Sequence, residues 1–523
     1  MLISLPFLSD VTEDADADAV RYSFTGSYPL NSFGEWHNGV HLVAPTLSNG
    51  GPAPVRAIAD GEVIHLVPPT PRNADQAHAQ NYGAFSDNAE WTDNGLIILK
   101  HSAEIGHNGQ APVSFVFYSV YMHLNSLGKI TVKDAKGKTS ERNLKPGDKL
   151  YRRAVLGEAG QIYGQPHHLH FEVSMNEANL SQLLGHAPSA HPLPGAKPTA
   201  GRTDVVFGSA YVYLPVGTPL LSQEPKTPVG TTSTETLGTA LWVQLDYAGS
   251  ATLTSYLAHD DASDATLRAG SLLGGSVASA QITEPDGEYK LYEQANKRHK
   301  ALSEALKAQS SPSGWYELLR FGRTLGPDPL PAGAEHWRKI KTPAGERWAN
   351  LKAAGTVALS DGDFPGFRGW QCINDDPSGS DQRCDSTALR SLLLREFADK
   401  AQREKAMAKT LEGRQLLATQ AIKPKREAFG QQLNKLMCQF PSEFDKSTID
   451  ARYAHVKQEP HFKDNPKNWD ALKAHISAVC TVLPAEVKAA DWRFHPIAFI
   501  NHMRRCGWLS RHEMIQLMPI HRT

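Results

Sequence analysis

Histidines at short, regular intervals are the residues of this chain whose types and spacing could do chemistry. The segment GEWHNGVHLVAP holds His37 and His41 four positions apart, and the segment HHLHFEV holds His168 and His170 two positions apart. A spacing of two or four places side chains on one face of a β-strand, and a spacing of four also does so on a helix. Imidazoles that share a face can hold a zinc ion between them. The spacing of these histidines is therefore compatible with a metal site.

The residues around the first pair favour a strand over a helix. Gly39 is a poor residue for a helix interior, Val40 is β-branched, and Pro45 follows closely. A further histidine, His123, ends the apolar, strand-like run VSFVFYSVYMH. The chain contains 22 histidines in 523 residues, so about one H-x-H pair is expected by chance and the spacing is weak evidence by itself.

The elements that must position these histidines are mainly β-strands. Short β-type runs bounded by turn residues, such as PVRAIADGEVIHLV and NGLIILKH, fill the N-terminal part, and similar runs follow in the middle around a charged helical insert, YKLYEQANKRHKALSEALKAQ. From about Asp385 the apolar spacing becomes helical. We predict a multidomain protein with a mainly β N-terminal half, built from an antiparallel sheet and a small β-barrel, and an α-helical C-terminal region. The predicted domains are 1–205, 206–384 and 385–523.

Charge and hydropathy exclude several classes of partner. The net charge is -1, so nothing indicates nucleic acid or an anionic membrane as an electrostatic partner. No apolar run approaches the roughly 20 residues that a membrane span requires. The N-terminus, MLISLPFLSDVTEDADADA, lacks the basic region of a secretory signal and turns acidic at once. We expect synthesis in the cytoplasm and any export by another route.

The five cysteines all lie in the C-terminal third, without the C-x2-C spacing of a structural zinc site. Cys372 and Cys384 flank an acidic, turn-rich loop and could form a disulfide in an oxidising compartment. The other three are expected to be buried thiols, which are Cys438, Cys480 and Cys506.

The order of the segments resembles the LytM or lysostaphin-like zinc metallopeptidases over about the first 175 residues. The matching segments are H-x3-[D/H], PVRAIADGEV, GLIILKH, YMHL, LKPGDKLYRRAVLGEAG and HLHFEV. The resemblance implies a zinc ion on an antiparallel sheet and cleavage of an amide bond in the peptide part of the bacterial cell wall. It implies that His37 and His170 are zinc ligands and that His41 stands where the family has an aspartate ligand. His123 and His168 match two histidines that assist the attacking water and the developing oxyanion.

A three-histidine site is chemically workable. A catalytic zinc needs three protein ligands and an open position for water, whose pKa it lowers to about 7. Histidine in place of aspartate leaves the site with a charge of +2 where the family has +1. If His41 does not bind metal, the domain is instead a degenerate wall-binding module. His101 and His167 are expected to have structural or supporting roles.

Later segments resemble peptidoglycan-degrading effectors of the bacterial type VI secretion system, in which a cell-wall amidase or peptidase is joined to a lysozyme-like domain. The segments are GRTDVVFGSAYVYLPVGTPL and WRFHPIAFINHMRRCGWLSRHEMIQLMP, and the middle region is similar to a Src-homology-like barrel. This resemblance implies delivery to the periplasm of target bacteria. It also implies three partners: peptidoglycan, a cognate immunity protein and a secretion spike or chaperone.

The C-terminal helices are expected to be a linker or docking module, and the lysozyme-like domain is expected to be absent from this chain. Glu443 and Asp445, or Glu396, could be proposed as the carboxylate pair of a lysozyme-like unit, but acids on amphipathic helices are expected to be solvated. Three classes of function remain open: a zinc hydrolase, a non-catalytic wall-binding module and a secretion adaptor. For a hydrolase, the bond is also open, since an N-acetylmuramoyl-L-alanine amidase and a cross-link endopeptidase need the same zinc.

Overall fold

The structure is a computed structural model, and it describes residues 1–8, 21–22, 27–83, 88–108, 111–133, 137–188, 205–258, 268–269, 280–364, 367, 369–422 and 427–518. Most of the acidic N-terminal segment lies outside these residues, and so do residues 189–204, which precede the predicted boundary between the first two domains. Within them, no helix combines the length and the apolar character that a membrane span requires.

The described strands, in chain order, are β1 (Arg21–Tyr22), β2 (Val40–Val43), β3 (Val55–Arg56), β4 (Gly61–Val67), β5 (Gly95–Asn108), β6 (Ala111–Leu127), β7 (Lys129–Lys133), β8 (Thr139–Asn143), β9 (Lys149–Leu150), β10 (Val155–Ile162), β11 (Gln165–Met175), β12 (Ala210–Leu214), β13 (Pro219–Leu221), β14 (Glu235–Thr236), β15 (Leu241–Ala248), β16 (Ser250–Leu257), β17 (Arg268–Ala269), β18 (Gln281–Glu284), β19 (Trp337–Thr342), β20 (Gly345–Asn350), β21 (Val357–Ser360), β22 (Gln371–Ile373), β23 (Leu436–Gln439) and β24 (Trp492–Phe494).

The described α-helices are α1 (Glu177–Leu184), α2 (Leu291–Lys300), α3 (Glu304–Lys307), α4 (Pro312–Phe321), α5 (Thr387–Leu394), α6 (Lys400–Met407), α7 (Leu411–Ile422), α8 (Glu427–Asn434), α9 (Ile449–Arg452), α10 (Pro460–Lys463), α11 (Pro466–Val479), α12 (Ala485–Lys488), α13 (Pro496–Met503) and α14 (Arg511–Leu517). Short 3-10 turns lie at Asp361–Asp363, Lys446–Thr448 and Val456–Gln458.

The largest sheet carries the histidines. Its strands run in the order β22, β23, β24, β11, β10, β6, β5, β4 and β9, with β1, β2 and β3 paired beside this path. All of its pairings are antiparallel except the one between β22 and β23. The predicted fold class is confirmed: the N-terminal half is mainly β with several antiparallel sheets, and helices are concentrated in the C-terminal region.

Alternation along the strands gives this sheet two buried faces. On β11, Leu169, Phe171 and Val173 point into one core. The intervening residues therefore point to the opposite face. That opposite face is where Ile98 and Met122 pack against C-terminal residues such as Leu483 and Val487. The C-terminal region thus covers the sheet face that carries the histidines.

The C-terminal region also extends the sheet by pairing. Val173, Ser174 and Met175 of β11 lie opposite Phe494, Arg493 and Trp492 of β24, and β24 pairs in turn with β23. These strands are three and four residues long and stand between helices, so they are too short to give a clear alternation in the sequence. The region predicted to be helical from residue 385 therefore contains helices and, in addition, two strands of the first sheet.

The middle region contains two further sheets. A six-stranded sheet has the order β17, β16, β15, β12 and β21 with β18 beside β16, and a four-stranded sheet has the order β14, β13, β20 and β19. Leu214 and Leu241 of the first share a core with Leu220 and Ile340 of the second. The charged insert forms α2 and α3, as its pattern predicts.

The thiols of Cys372 and Cys384 are not joined by a disulfide in this structure. The Cys372 thiol instead donates to the carbonyl oxygen of Pro188 at 3.4 Å. Burial raises the pKa of the thiols of Cys384 and Cys438. These side chains therefore behave as small apolar groups.

Candidate metal centre

The register of two strands brings the two histidine motifs together. Strand β2 pairs with β11 so that His41 lies directly opposite His170. The chain enters β2 through Gly39, where a Cβ atom would lie 2.1 Å from the carbonyl oxygen of Phe171. Only glycine permits this approach. His37 and Asn38 precede Gly39 in the chain, and the ring of His37 lies beside the rings of His41 and His170.

Three imidazoles converge at this point. The ring centroids of His37 and His41 are 5.0 Å apart, those of His37 and His170 are 4.9 Å apart, and those of His41 and His170 are 5.2 Å apart. One ring nitrogen from each lies within 4.8 Å of the others, so the three side chains could hold a metal ion. Two donors on one zinc are about 3.3 to 3.5 Å apart, so a small contraction would suffice.

Hydrogen bonds determine which ring nitrogen of His37 and which ring nitrogen of His170 are available to a metal. Nδ1 of His37 lies 2.8 Å from the carbonyl oxygen of Gly39, which can only accept, so Nδ1 carries the proton and Nε2 keeps a lone pair. Nε2 of His170 donates to Glu172 Oε1 at 3.0 Å. Nδ1 of His170 is buried and has no hydrogen-bond partner within the described residues. Such a lone pair, oriented by a carbonyl or carboxylate on the other nitrogen, is the usual arrangement of a metal-binding histidine.

The three imidazoles are in the protonation state that metal binding requires. Burial lowers the pKa of His37 to about 4. Burial, together with the neighbouring histidines, also holds the pKa of His41 and His170 well below the ordinary value. All three are therefore neutral at neutral pH, and neutral imidazole is the form that binds zinc. The donor set fits a zinc ion.

His123 reaches the cluster through a β-bulge. Leu96 of β5 lies opposite Met122 and Gly95 lies opposite Leu124, so His123 is the extra residue between them, with φ of 65°. Bulges redirect side chains and are common beside active sites. The ring of His123 lies 6.2 Å from those of His41 and His170, and its Nδ1 donates to the carbonyl oxygen of Asp93 at 2.7 Å. Burial lowers its pKa to about 4.

His168 is held on the same face by the hairpin that joins β10 to β11. Tyr163 and Gly164 at the turn both have positive φ, of 47° and 73°, as a two-residue hairpin turn requires. Nδ1 of His168 donates to the carbonyl oxygen of Pro166 at 2.7 Å, which leaves Nε2 with a lone pair. Burial lowers the pKa of this imidazole as well. His168 shares a face of β11 with His170, and its imidazole interacts electrostatically with those of His41 and His123. The five histidines predicted for the site therefore lie on one face of the sheet.

The two histidines expected to have supporting roles lie outside the cluster. His101 is buried, and its ring nitrogens contact the carbonyl oxygen of Asp60 and the hydroxyl of Ser119. Both ring nitrogens of His101 are therefore hydrogen-bonded within the core. His167 is exposed, and its carbonyl oxygen accepts from the backbone N–H of Ala44.

Two acids predicted to be solvated are not. Asp445 is buried and pairs with Lys488 at 3.0 Å. Glu443 lies in an irregular segment between β23 and the 3-10 turn, and only 12% of its side chain is exposed. Its Oε1 accepts from the backbone N–H of Asn38 at 2.9 Å and lies 4.0 Å from Nε2 of His37. Burial raises its pKa to about 8. Glu396 is half-buried in the turn after α5.

A buried ion pair supports His170 from the C-terminal region. Arg493 of β24 donates to Glu172 Oε2 at 3.1 Å, and Glu172 Oε1 accepts from His170. The exposed fractions of the two charged side chains are 0% and 1%. Arginine stays charged in proteins, so Glu172 has a fixed counter-ion while it orients the imidazole. No short motif marks Arg493 or Glu443 in the sequence, because both act from more than 250 positions away from their partners.

Comparison with known proteins found weak structural similarity to lysostaphin of Staphylococcus simulans. The catalytic domain of this antimicrobial peptidase is 22% identical, with 31% of this chain and 84% of that chain covered and a TM-score of 0.16. The whole antimicrobial peptidase is 15% identical, with 54% and 92% covered and a TM-score of 0.17. No protein-family model and no curated protein matched the sequence. Both TM-scores are low, so the function has to be inferred from the site of this chain.

Proposed function

We propose that this protein is a zinc-dependent hydrolase that cleaves an amide bond in the peptide part of bacterial peptidoglycan. The observation that carries the proposal is the convergence of His37, His41 and His170, three buried, neutral imidazoles with ring nitrogens within 4.8 Å. Among the described residues, His123 and His168 belong to no group that could hold a metal. Three ligands and adjacent proton-handling groups are the requirements of a hydrolytic zinc site.

Each of the five histidines has a role in this proposal. His37 Nε2, a ring nitrogen of His41 and His170 Nδ1 would hold zinc, which supplies a Lewis acid that acidifies water and polarises a carbonyl group. His123 and His168 each donate through Nδ1 to a backbone carbonyl, so each presents Nε2 as an acceptor. Either ring can therefore take a proton from water, and a ring that has taken one can donate to an oxyanion.

The substrate class rests on the order of sequence segments that resembles the LytM-type peptidases. The same kind of resemblance supports delivery by a type VI secretion system to the periplasm of target bacteria. A cognate immunity protein and a secretion spike or chaperone are the partners that this route requires. The scissile bond is either a peptide cross-link or the bond between N-acetylmuramic acid and L-alanine.

Digestion of purified sacculi tests the proposal directly. Mass spectrometry of the released muropeptides should show products that form with the zinc-loaded protein and not with the chelator-treated protein. The masses identify the bond, since an amidase releases peptide from sugar and an endopeptidase separates two peptides. A zinc-loaded protein that binds sacculi and releases nothing would support the wall-binding module instead.

Removal of one ligand should remove the metal. The wild-type protein is expected to bind about one zinc per chain, and His170→Ala is expected to lose most of it, because two protein ligands hold zinc poorly. Metal analysis after dialysis measures the occupancy. His101→Ala removes a buried histidine outside the cluster and serves as the matched control. Full zinc occupancy in His170→Ala would contradict the assignment.

Metal binding is expected to survive the substitution of His41 by aspartate but not by alanine. Carboxylate and imidazole bind zinc at similar distances of roughly 2.0 to 2.2 Å, so His41→Asp is expected to keep metal and hydrolysis. His41→Ala is expected to lose most of the metal affinity. Zinc titration against a competing chelator compares the two variants. An alanine variant with wild-type affinity would show that His41 is not a ligand.

A further inference from the structure

A strongly basic segment follows the strand that carries His123. Residues 129–153 contain nine lysines or arginines and three aspartates or glutamates, which gives a net charge of +6. The whole chain has a net charge of -1, so the residues outside this segment together carry -7. Such a charge asymmetry within one chain indicates a surface for an anionic partner. The net charge of the whole chain conceals it.

The first part of this segment is an exposed two-stranded ribbon. Strand β7 pairs with β8 in an antiparallel register from Lys129 to Lys133. Exposure alternates along β7, so that Lys129 and Lys133 are exposed while Ile130 is half-buried and packs against the main core. Side chains two and four positions apart on a strand share a face. The two lysines therefore extend into solvent on the face opposite Ile130.

A third lysine stands at the base of the ribbon. The backbone N–H of Leu144 donates to the carbonyl oxygen of Gly128 at 3.4 Å, which places the exposed Lys145 close to Lys129. We call Lys129, Lys133 and Lys145 the basic surface. None of the three forms an ion pair with a residue that the structure describes.

The neighbouring arginine is neutralised within the chain. Arg142 of β8 donates from both terminal nitrogens to the two carboxylate oxygens of Asp148, at 2.7 and 2.6 Å. A bidentate pair of this kind is strong and leaves little charge for a partner. The lysines of the basic surface are different, because their ammonium groups remain available to anions from outside.

The basic surface lies within reach of the histidine cluster. Strand β6 contains His123 and ends at Leu127, and Gly128 joins it to β7. An extended chain spans at most about 3.6 Å per residue, so the Cα atoms of His123 and Lys129 are no more than about 22 Å apart. The N–H of Gly128 donates to the carbonyl oxygen of Leu156 at 2.6 Å, which ties this junction to β10. A charged polymer could therefore contact both places at once.

The side chains of the ribbon favour a polymer that carries carboxylates. The face shared by Lys129 and Lys133 also presents threonine, glutamate and asparagine, and within these two strands it has no aromatic or large apolar side chain. Single-stranded nucleic acids are held by stacking on aromatic rings as well as by charge. Segments that bind a membrane surface bury apolar side chains in it. The peptide stems of peptidoglycan, by contrast, present free carboxylates along the polymer.

We propose that the basic surface binds carboxylates of the peptidoglycan polymer and holds it while the histidine cluster meets one amide bond. The identity of the polymer rests on the proposed function. The inference adds a binding site outside the histidine motifs, and this site does not depend on the metal.

Cosedimentation of the metal-free chain with purified sacculi tests the inference without requiring hydrolysis. The triple variant Lys129→Gln, Lys133→Gln and Lys145→Gln is expected to bind at least about 3-fold more weakly than the wild type at low salt, because each exposed charge pair contributes modestly. The difference should shrink as salt rises and screens the charges. Zinc occupancy and thermal unfolding check that the variant keeps its fold.

A matched triple variant removes three lysines elsewhere. Lys457→Gln, Lys463→Gln and Lys467→Gln change exposed lysines of the C-terminal region that likewise form no ion pair among the described residues. This control should bind sacculi as the wild type does.

The outcomes separate the inference from the proposed function. Equal binding by the wild type and the ribbon variant, or an equal loss in the control, would overturn the inference. Tighter binding of the wild type to anionic phospholipid vesicles or to single-stranded DNA than to sacculi would overturn the choice of partner. If the ribbon variant alone loses binding while the zinc-loaded wild type releases no muropeptides, the basic surface stands and the proposed hydrolysis is wrong.

Discussion

Replacing His123 or His168 by alanine is expected to lower the turnover of peptidoglycan by about 10² to 10⁴, the range expected for losing proton transfer or oxyanion stabilisation. Both rings stand beside the three-histidine cluster, and both use Nδ1 to donate to a backbone carbonyl. Their Nε2 lone pairs are therefore available to a reacting proton. Because neither ring belongs to the group that could hold a metal, zinc occupancy is expected to remain at the wild-type level.

The measurement combines turnover on sacculi with metal analysis of the same preparations. His167→Asn is the matched control, because His167 is exposed next to His168 and has φ of 61°, a conformation that asparagine tolerates well. The control should keep both activity and zinc. Loss of zinc together with turnover in the alanine variants would instead place the residue among the metal ligands.

Replacing Arg493 by methionine is expected to reduce the free energy of unfolding by about 3 to 5 kcal/mol. The reason is that Glu172 would remain buried without its counter-ion, and breaking a buried ion pair from one side costs about this much. The exposed fractions of the two side chains, 0% and 1%, leave water little access to compensate. Zinc affinity should fall as well, because Glu172 would orient His170 less firmly. Urea unfolding of the metal-free chain and chelator competition measure the two effects.

Two further variants separate the charge effect from simple loss of an arginine. Arg505→Met removes an arginine that pairs with Asp246 and is 45% exposed, and exposed pairs contribute about 1 kcal/mol or less. Adding Glu172→Gln to Arg493→Met should restore part of the stability, because no uncompensated charge then stays buried. If Arg493→Met is as stable as Arg505→Met, the buried pair does not stabilise the fold as inferred.

The sequence by itself predicted the local features of the site. The spacing of two predicted that His168 and His170 share a face of a strand, and β11 bears this out. The strand predicted for the first pair holds for His41 on β2 but not for His37, which lies in the irregular segment before Gly39. The alternation of β11 could also be read directly, since apolar residues and His168, His170 and Glu172 alternate along it. The fold class followed from the same patterns, because strand and helix periods are properties of neighbouring residues.

Tertiary structure decided what surrounds the histidines. Register placed His41 opposite His170, a bulge redirected His123, and strand pairing across more than 300 positions brought Arg493 to Glu172. Glu443 was read from its sequence as a solvated helical acid, yet it lies in an irregular segment against His37. Periodicity reports only which residues share a face within one element. The burial and charge of a side chain depend on which other elements pack over it, and that packing is set by the whole chain.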